Sequence, residues 1–257
     1  MFFHAIPLYS RILFIGITGL ECLLAVMLLR WDAWKRYPVM SVYLTWQAVG
    51  GLAGLLIGYF GAAMPYFYTY YGVTIVLNLI ALAVALELYY KIFDPRIGLF
   101  AWGRRHVVVI ISVSVAVAIV IGSFLTARNG GSLTRTSQTV KEVMNVALWA
   151  TFCTLWIYSR SVGFTLRPRV KGIAVGFILY LTSSVISLFI AMRFSLSTAM
   201  IANQVCMAAE FLTMTWWLGV FWGEEKLSEE APICEQLQVA ETLAQYTRTI
   251  EEAARML

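Results

Sequence analysis

The sequence predicts an all-α fold, a bundle of seven transmembrane helices with the N-terminus outside and the C-terminus in the cytoplasm. Three observations predict it. The 257 residues are 60% hydrophobic and 13% charged, with a mean hydropathy of +0.77, whereas soluble domains run near half apolar and a quarter charged. Seven stretches, at 9–30, 39–60, 66–90, 106–127, 139–158, 172–192 and 197–222, each reach the roughly 20 apolar residues that a bilayer crossing needs. The basic residues are divided unequally between the loops. Eleven Lys and Arg follow the first, third and fifth stretches (Arg30, Lys35, Arg36; Lys91, Arg96, Arg104, Arg105; Arg160, Arg167, Arg169, Lys171), against five elsewhere in the membrane part. The positive-inside bias then sets the orientation.

The first span is long, and its basic cluster follows it. No small-residue cleavage site closes it, so it reads as an anchor rather than a removed leader. The second carries Gly50, Gly54 and Gly58 at every fourth position, with Gly51 beside them. Such a stripe brings helix backbones close, within the bundle or between copies in a homo-oligomer. The third holds Thr74 and Asn78, and ends with Glu87 four residues before Lys91, the spacing of a helix ion pair. The fourth leads into Asn129-Gly130-Gly131-Ser132, a flexible external hairpin. The fifth holds Asn145 and a packing face of Trp149, Phe152 and Trp156. Its Lys141, like Arg193 of the sixth, is expected to snorkel to the outer interface. The sixth holds Thr182, Ser183, Ser184 and Ser187. The seventh places Asn203, Met207, Glu210, Met214 and Trp217 on one face. All six prolines fall at span ends or outside spans, so the helices are expected to be unbroken.

Residues 1–223 therefore form the seven-helix domain, and 224–257 a cytoplasmic tail. From Glu224 the tail carries eight acids and three bases. Val239, Leu243, Tyr246, Ile250, Ala253 and Leu257 fall at alternating spacings of four and three, a heptad seam on an amphipathic helix. The seam is too short for an independent coiled coil, and fits docking on a protein partner or on the molecule's own cytoplasmic face.

Ionisable groups in mid-membrane are costly and mark function. Glu21 and Glu210 each lie about halfway along their spans, at similar depth in helices that a sequential ring makes neighbours. Two carboxylates sharing one site are expensive to ionise together and invite a proton or a cation. Thr18, Asn78, Asn203, Ser184 and Ser187 are the further candidates for a polar pocket around them. Each also has a purely structural reading, as an interhelical hydrogen bond worth about 1 kcal/mol or less.

Several classes are excluded. No HExxH, Walker A or GxSxG pattern occurs, so no enzyme is expected. The four cysteines are scattered without a metal-ligand pattern, and no cofactor is expected. His4 and His106 lie near membrane edges and on opposite sides, which excludes bis-histidine haem. The last span holds no lysine, which excludes a retinal Schiff base. The basic loops imply contact with anionic headgroups of a cytoplasmic (inner) membrane rather than with nucleic acid. The function expected is a membrane sensor or transducer that binds a small ligand or protons in the pocket and signals through the tail. The alternatives are a proton- or cation-coupled transporter of small solutes, and a non-catalytic subunit of a larger membrane complex.

Overall fold

The computed structural model describes residues 7–30, 33–60, 63–92, 112, 133–161, 167–193, 196–222, 241 and 245. The described residues form seven helices: α1 (Leu8–Arg30), α2 (Ala33–Arg36), α3 (Pro38–Phe60), α4 (Ala63–Ile92), α5 (Leu133–Ser161), α6 (Pro168–Arg193) and α7 (Leu196–Trp222). Five helices are long and apolar enough to cross a membrane: α1, α3 and the greater part of α4, α6 and α7. The chain is thus an all-helical, multi-pass membrane protein. In α5 the apolar stretch is shorter, Val143–Ile157, because Lys141 and Glu142 interrupt the expected span near its start. The expected fourth span and the tail seam lie outside the described residues.

Proline placement explains where helices begin. Pro38 and Pro168 open α3 and α6, where the missing N–H is no loss. The Tyr37 and Arg167 carbonyls accept the first turns' N–H groups of Ser41 and Lys171, each at 2.9 Å. Pro65 sits in the first turn of α4, which runs unbroken to Ile92. At the N-terminus of α3, Glu87 of α4 accepts the Met40 backbone N–H at 3.0 Å. This carboxylate caps one of the donors every helix start leaves unpaired and stands at the positive end of the dipole. Glu87 also interacts electrostatically with Lys91, and the cap is a role that spacing alone did not reveal.

The long helices close into a ring in the order α1–α3–α4–α5–α6–α7, with α7 returning to α1. Side-chain pairings give the directions. Gly54 faces Phe14, Gly50 faces Val73, Asn145 faces Ser184 and Gly176 faces Trp217, which makes α1/α3, α3/α4, α5/α6 and α6/α7 antiparallel. Two neighbouring pairs are parallel. Tyr9 meets Gln204 and Gly16 meets Phe211, joining α1 to α7. Lys141 meets Tyr70, joining α5 to α4. These directions bring Arg30, Lys35, Arg36, Lys91, Arg160, Arg167 and Lys171 to one end, the basic end. The N-terminus of α1 lies at the other.

Packing differs between the two ends. The apolar core lies in the basic half, where Leu24, Leu28, Met40, Leu44, Val84, Leu88, Ile173 and Phe221 are buried. Its centre is aromatic. Phe152 stacks on Phe177 with centroids 4.4 Å apart, and Phe177 tilts against Trp217 at 4.9 Å. Tyr43 meets Phe177 edge-on at 5.1 Å, a favoured geometry for such rings. Trp217 fits because α6 has glycine beneath it: a Cβ on Gly176 would collide with the indole. Towards the other end, residues 8–16, 49–57, 68–77, 182–187 and 203–212 contain no buried side chain.

Candidate functional site

A layer of polar side chains marks the boundary between the tightly and loosely packed halves. Each long helix contributes at least one. Gln47 Nε2 of α3 donates to Glu210 Oε1 of α7 at 3.3 Å. Gln47 is also within hydrogen-bonding reach of Glu21 on α1, and the two carboxylates interact electrostatically. The Gly50–Val73 and Met40–Glu87 pairings put Asn78 of α4 at the level of Gln47. From α5, Asn145 Nδ2 donates to Ser184 Oγ at 2.8 Å, and Trp149 Nε1 to Thr182 Oγ1 at 2.9 Å, both on α6.

The Glu21 carboxylate sits directly on the α3 backbone. A Cβ built on Gly51 would lie 2.7 Å from Glu21 Oε2 and 2.9 Å from Thr18 Oγ1. Glycine is therefore required there for the acid to lie between the helices. Glu21 is 4% exposed and Gln47 6%. Their Oε2 and Oε1 atoms are both buried without a hydrogen-bond partner. Unsatisfied buried acceptors cost roughly 1–3 kcal/mol each, more for a charged group, so this corner has a surplus of acceptors. Thr18 adds a third oxygen, its hydroxyl proton being committed to the Phe14 carbonyl at 3.0 Å.

Glu21, Thr18 and Glu210 thus come together, and Asn78 and Ser184 share their layer. Asn78 is buried with its amide nitrogen unpartnered. Ser187 is half-buried, one turn beyond Ser184. Asn203 is exposed, two turns from Glu210 in the loosely packed half.

Gln47, Gly51 and Lys141 were not singled out as site residues by the sequence. Gln47 carried a usable signal, since an amide in mid-span bears the same burial cost as the serines and asparagines of the other spans. Lys141, expected near the outer interface, stands level with Tyr70 at the end of the α4 apolar stretch that lies away from the basic end. Helix α5 starts at Leu133 rather than at 139, so Lys141 lies two turns inside it. Its ammonium donates to the Tyr70 hydroxyl and stands 4.7 Å from that ring's centre, and it interacts electrostatically with Glu210.

The glycine stripe divides its work inside the bundle. Gly50 admits Val73 of α4, and Gly54 faces Phe14 of α1, whose ring tip would be 3.4 Å from a Cβ. Gly58 is buried. Among the described residues no group of three or more His, Cys, Asp or Glu is placed to hold a metal ion. No family model, curated protein or solved structure matches the chain.

Proposed function

We propose that the protein is a membrane sensor or transducer whose polar layer binds a small ligand or protons from the loosely packed end and whose C-terminal tail carries the signal to a cytoplasmic partner. The observation that carries this reading is the Glu21–Gln47–Glu210 cluster, in which Glu21 and Gln47 are buried and acceptors are left over, on a closed aromatic floor. Burying such a cluster lowers stability unless binding uses it. The floor of Tyr43, Phe152, Phe177 and Trp217 favours sensing over transport, because a through-path would have to open the best-packed part of the molecule.

The same reading takes the chain as seven-spanning, with the basic end in the cytoplasm against anionic headgroups of the inner membrane. The parallel pair α4 and α5 supports the seventh crossing. Two parallel neighbours are the arrangement that one further crossing between Ile92 and Leu133 would produce. The stretch 106–127 covers about 33 Å as a helix.

Native Cys234 in the tail offers the test, with Cys22, Cys153 and Cys206 replaced by alanine. Its rate of labelling by a soluble maleimide is expected to change with pH or added solute, and Glu210→Gln is expected to abolish the change. An invariant rate, together with liposome flux that Glu210→Gln removes, would sink sensing and leave a transporter.

A further inference from the structure

From the surplus of acceptors at the α1–α3–α7 corner we infer a binding site for one hard monovalent cation, a proton or a sodium ion, held between Glu21, Gln47 and Glu210. This rests on the reading of the polar layer as a binding site and names what it takes.

Three observations set the class. The first is the chemistry of the unpartnered atoms. Glu21 Oε2 and Gln47 Oε1 are both oxygens, both buried, and belong to side chains within hydrogen-bonding reach. Each is a buried acceptor that no protein donor meets, and a positive centre at this corner would satisfy it. A proton on Glu21 makes them donor and acceptor, and a sodium ion makes them ligands, with Thr18 Oγ1 beside them. Oxygen donors suit hard cations.

Charge supplies the second observation. Glu21, Glu210 and Lys141 interact through Glu210, and two carboxylates with one ammonium leave a single negative charge. The other titratable groups facing the cluster are Tyr43 from α3, Tyr180 from α6, and the thiols of Cys22 on α1 and Cys206 on α7. Phenols and thiols of ordinary acidity are uncharged near neutral pH. One added positive charge therefore balances the cluster, and a divalent ion would overshoot.

Space is the third. The Glu21 carboxylate already rests against Gly51, and Thr18 Oγ1 crowds the same backbone position, which fits a monatomic ion or a proton better than an organic cation. Lys141 cannot serve as the missing charge while its ammonium is engaged by Tyr70. Its field instead sets the cluster's residual charge at one.

The test is thermal unfolding of the full chain in nanodiscs, titrated with sodium chloride against choline chloride at equal ionic strength, at several pH values. A saturable, single-site rise in Tm with sodium that weakens on acidification identifies a sodium ion competing with protons. A Tm that depends on pH but not sodium, with the dependence lost in Glu21→Gln, identifies a proton. Gly51→Ala removes no charge but displaces the carboxylate, and should weaken the apparent affinity for either on the order of tenfold. Gly19→Ala, whose methyl meets nothing within 4 Å, is the matched control and should leave it unchanged. The inference is overturned if wild type shows neither dependence, if Glu21→Gln and Gly51→Ala titrate like wild type, or if only a divalent or organic cation acts. The two readings fail separately. An ion-dependent Tm with an invariant Cys234 discards sensing and keeps the ion, and a responsive Cys234 without ion dependence does the reverse.

Discussion

Gln47 holds the candidate site together because it reaches two helices from a third. Its amide donates to Glu210 at 3.3 Å and lies within reach of Glu21. Gln47→Leu keeps the volume and removes the donor, leaving Glu210 without that partner. The expected cost is about 1–3 kcal/mol, read as a lower unfolding temperature, and Glu210→Gln in the same background should recover part of it. The glycines act by what they lack. Gly176→Ala drives a methyl into Trp217, which is fully buried. Overpacking of this kind costs about 1–3 kcal/mol, so thermal unfolding should place this variant well below Gly72→Ala, where a Cβ meets nothing within 4 Å. The costly mid-membrane acids were legible in the sequence, since their rarity marks them. Gln47 and Gly51 were less so. Gly51 looks like a bystander to the regular Gly50, Gly54, Gly58 stripe until the neighbouring helix shows which glycine faces the carboxylate.

At the scale of elements, helix boundaries follow from proline and hydropathy, and the sequence reading places them within a few residues at α1, α3, α6 and α7. It misses the start of α5, where polar residues precede the apolar run and no bilayer criterion sees a helix. The cap on α3 was also hidden, because Glu87 and Met40 lie 47 residues apart. Glu87→Ala should cost about 1 kcal/mol through loss of the cap. Glu87→Gln, which keeps an oxygen acceptor but loses the charge at the dipole's positive end, should cost less. Unfolding of the two variants beside Lys91→Ala separates the cap from the ion pair, since Lys91→Ala should then cost less than Glu87→Ala.

The whole molecule is built unevenly along its axis. Buried apolar and aromatic side chains gather in the basic half, while the opposite halves of α1, α3, α4, α6 and α7 bury none along the runs nearest the polar layer. Backbone amides open most readily where apolar contacts are few. Hydrogen exchange should therefore be slowest around Leu44, Leu88, Ile173 and Trp217. It should be faster in 49–57 and 203–212, and uniform protection along each helix would contradict the gradient. Helix direction makes a second prediction. With α4 and α5 parallel, an Arg96→Cys label and an Asn129→Cys label should be reached by a membrane-impermeant maleimide from opposite sides. Labelling of both from one side would remove the seventh crossing. None of the axial asymmetry was legible in the sequence, because apolar residues fill both halves of every span alike. Only the neighbours decide which of them are covered.

That uneven packing makes the surrounding lipid a participant. A bilayer squeezes its contents sideways, and a tightly filled half resists while a loosely filled half yields. Short or kinked acyl chains, anaesthetic-like alcohols, or tension in the membrane plane change that squeeze most at the end where these helices touch least. The yielding half borders the polar layer, so compression there presses the helices around Glu21 together, and relaxation lets them part. The behaviour of this site should thus vary with lipid composition even at constant pH and salt. Reconstitution in lipids of different chain length should register as a shift in the ion dependence of Tm.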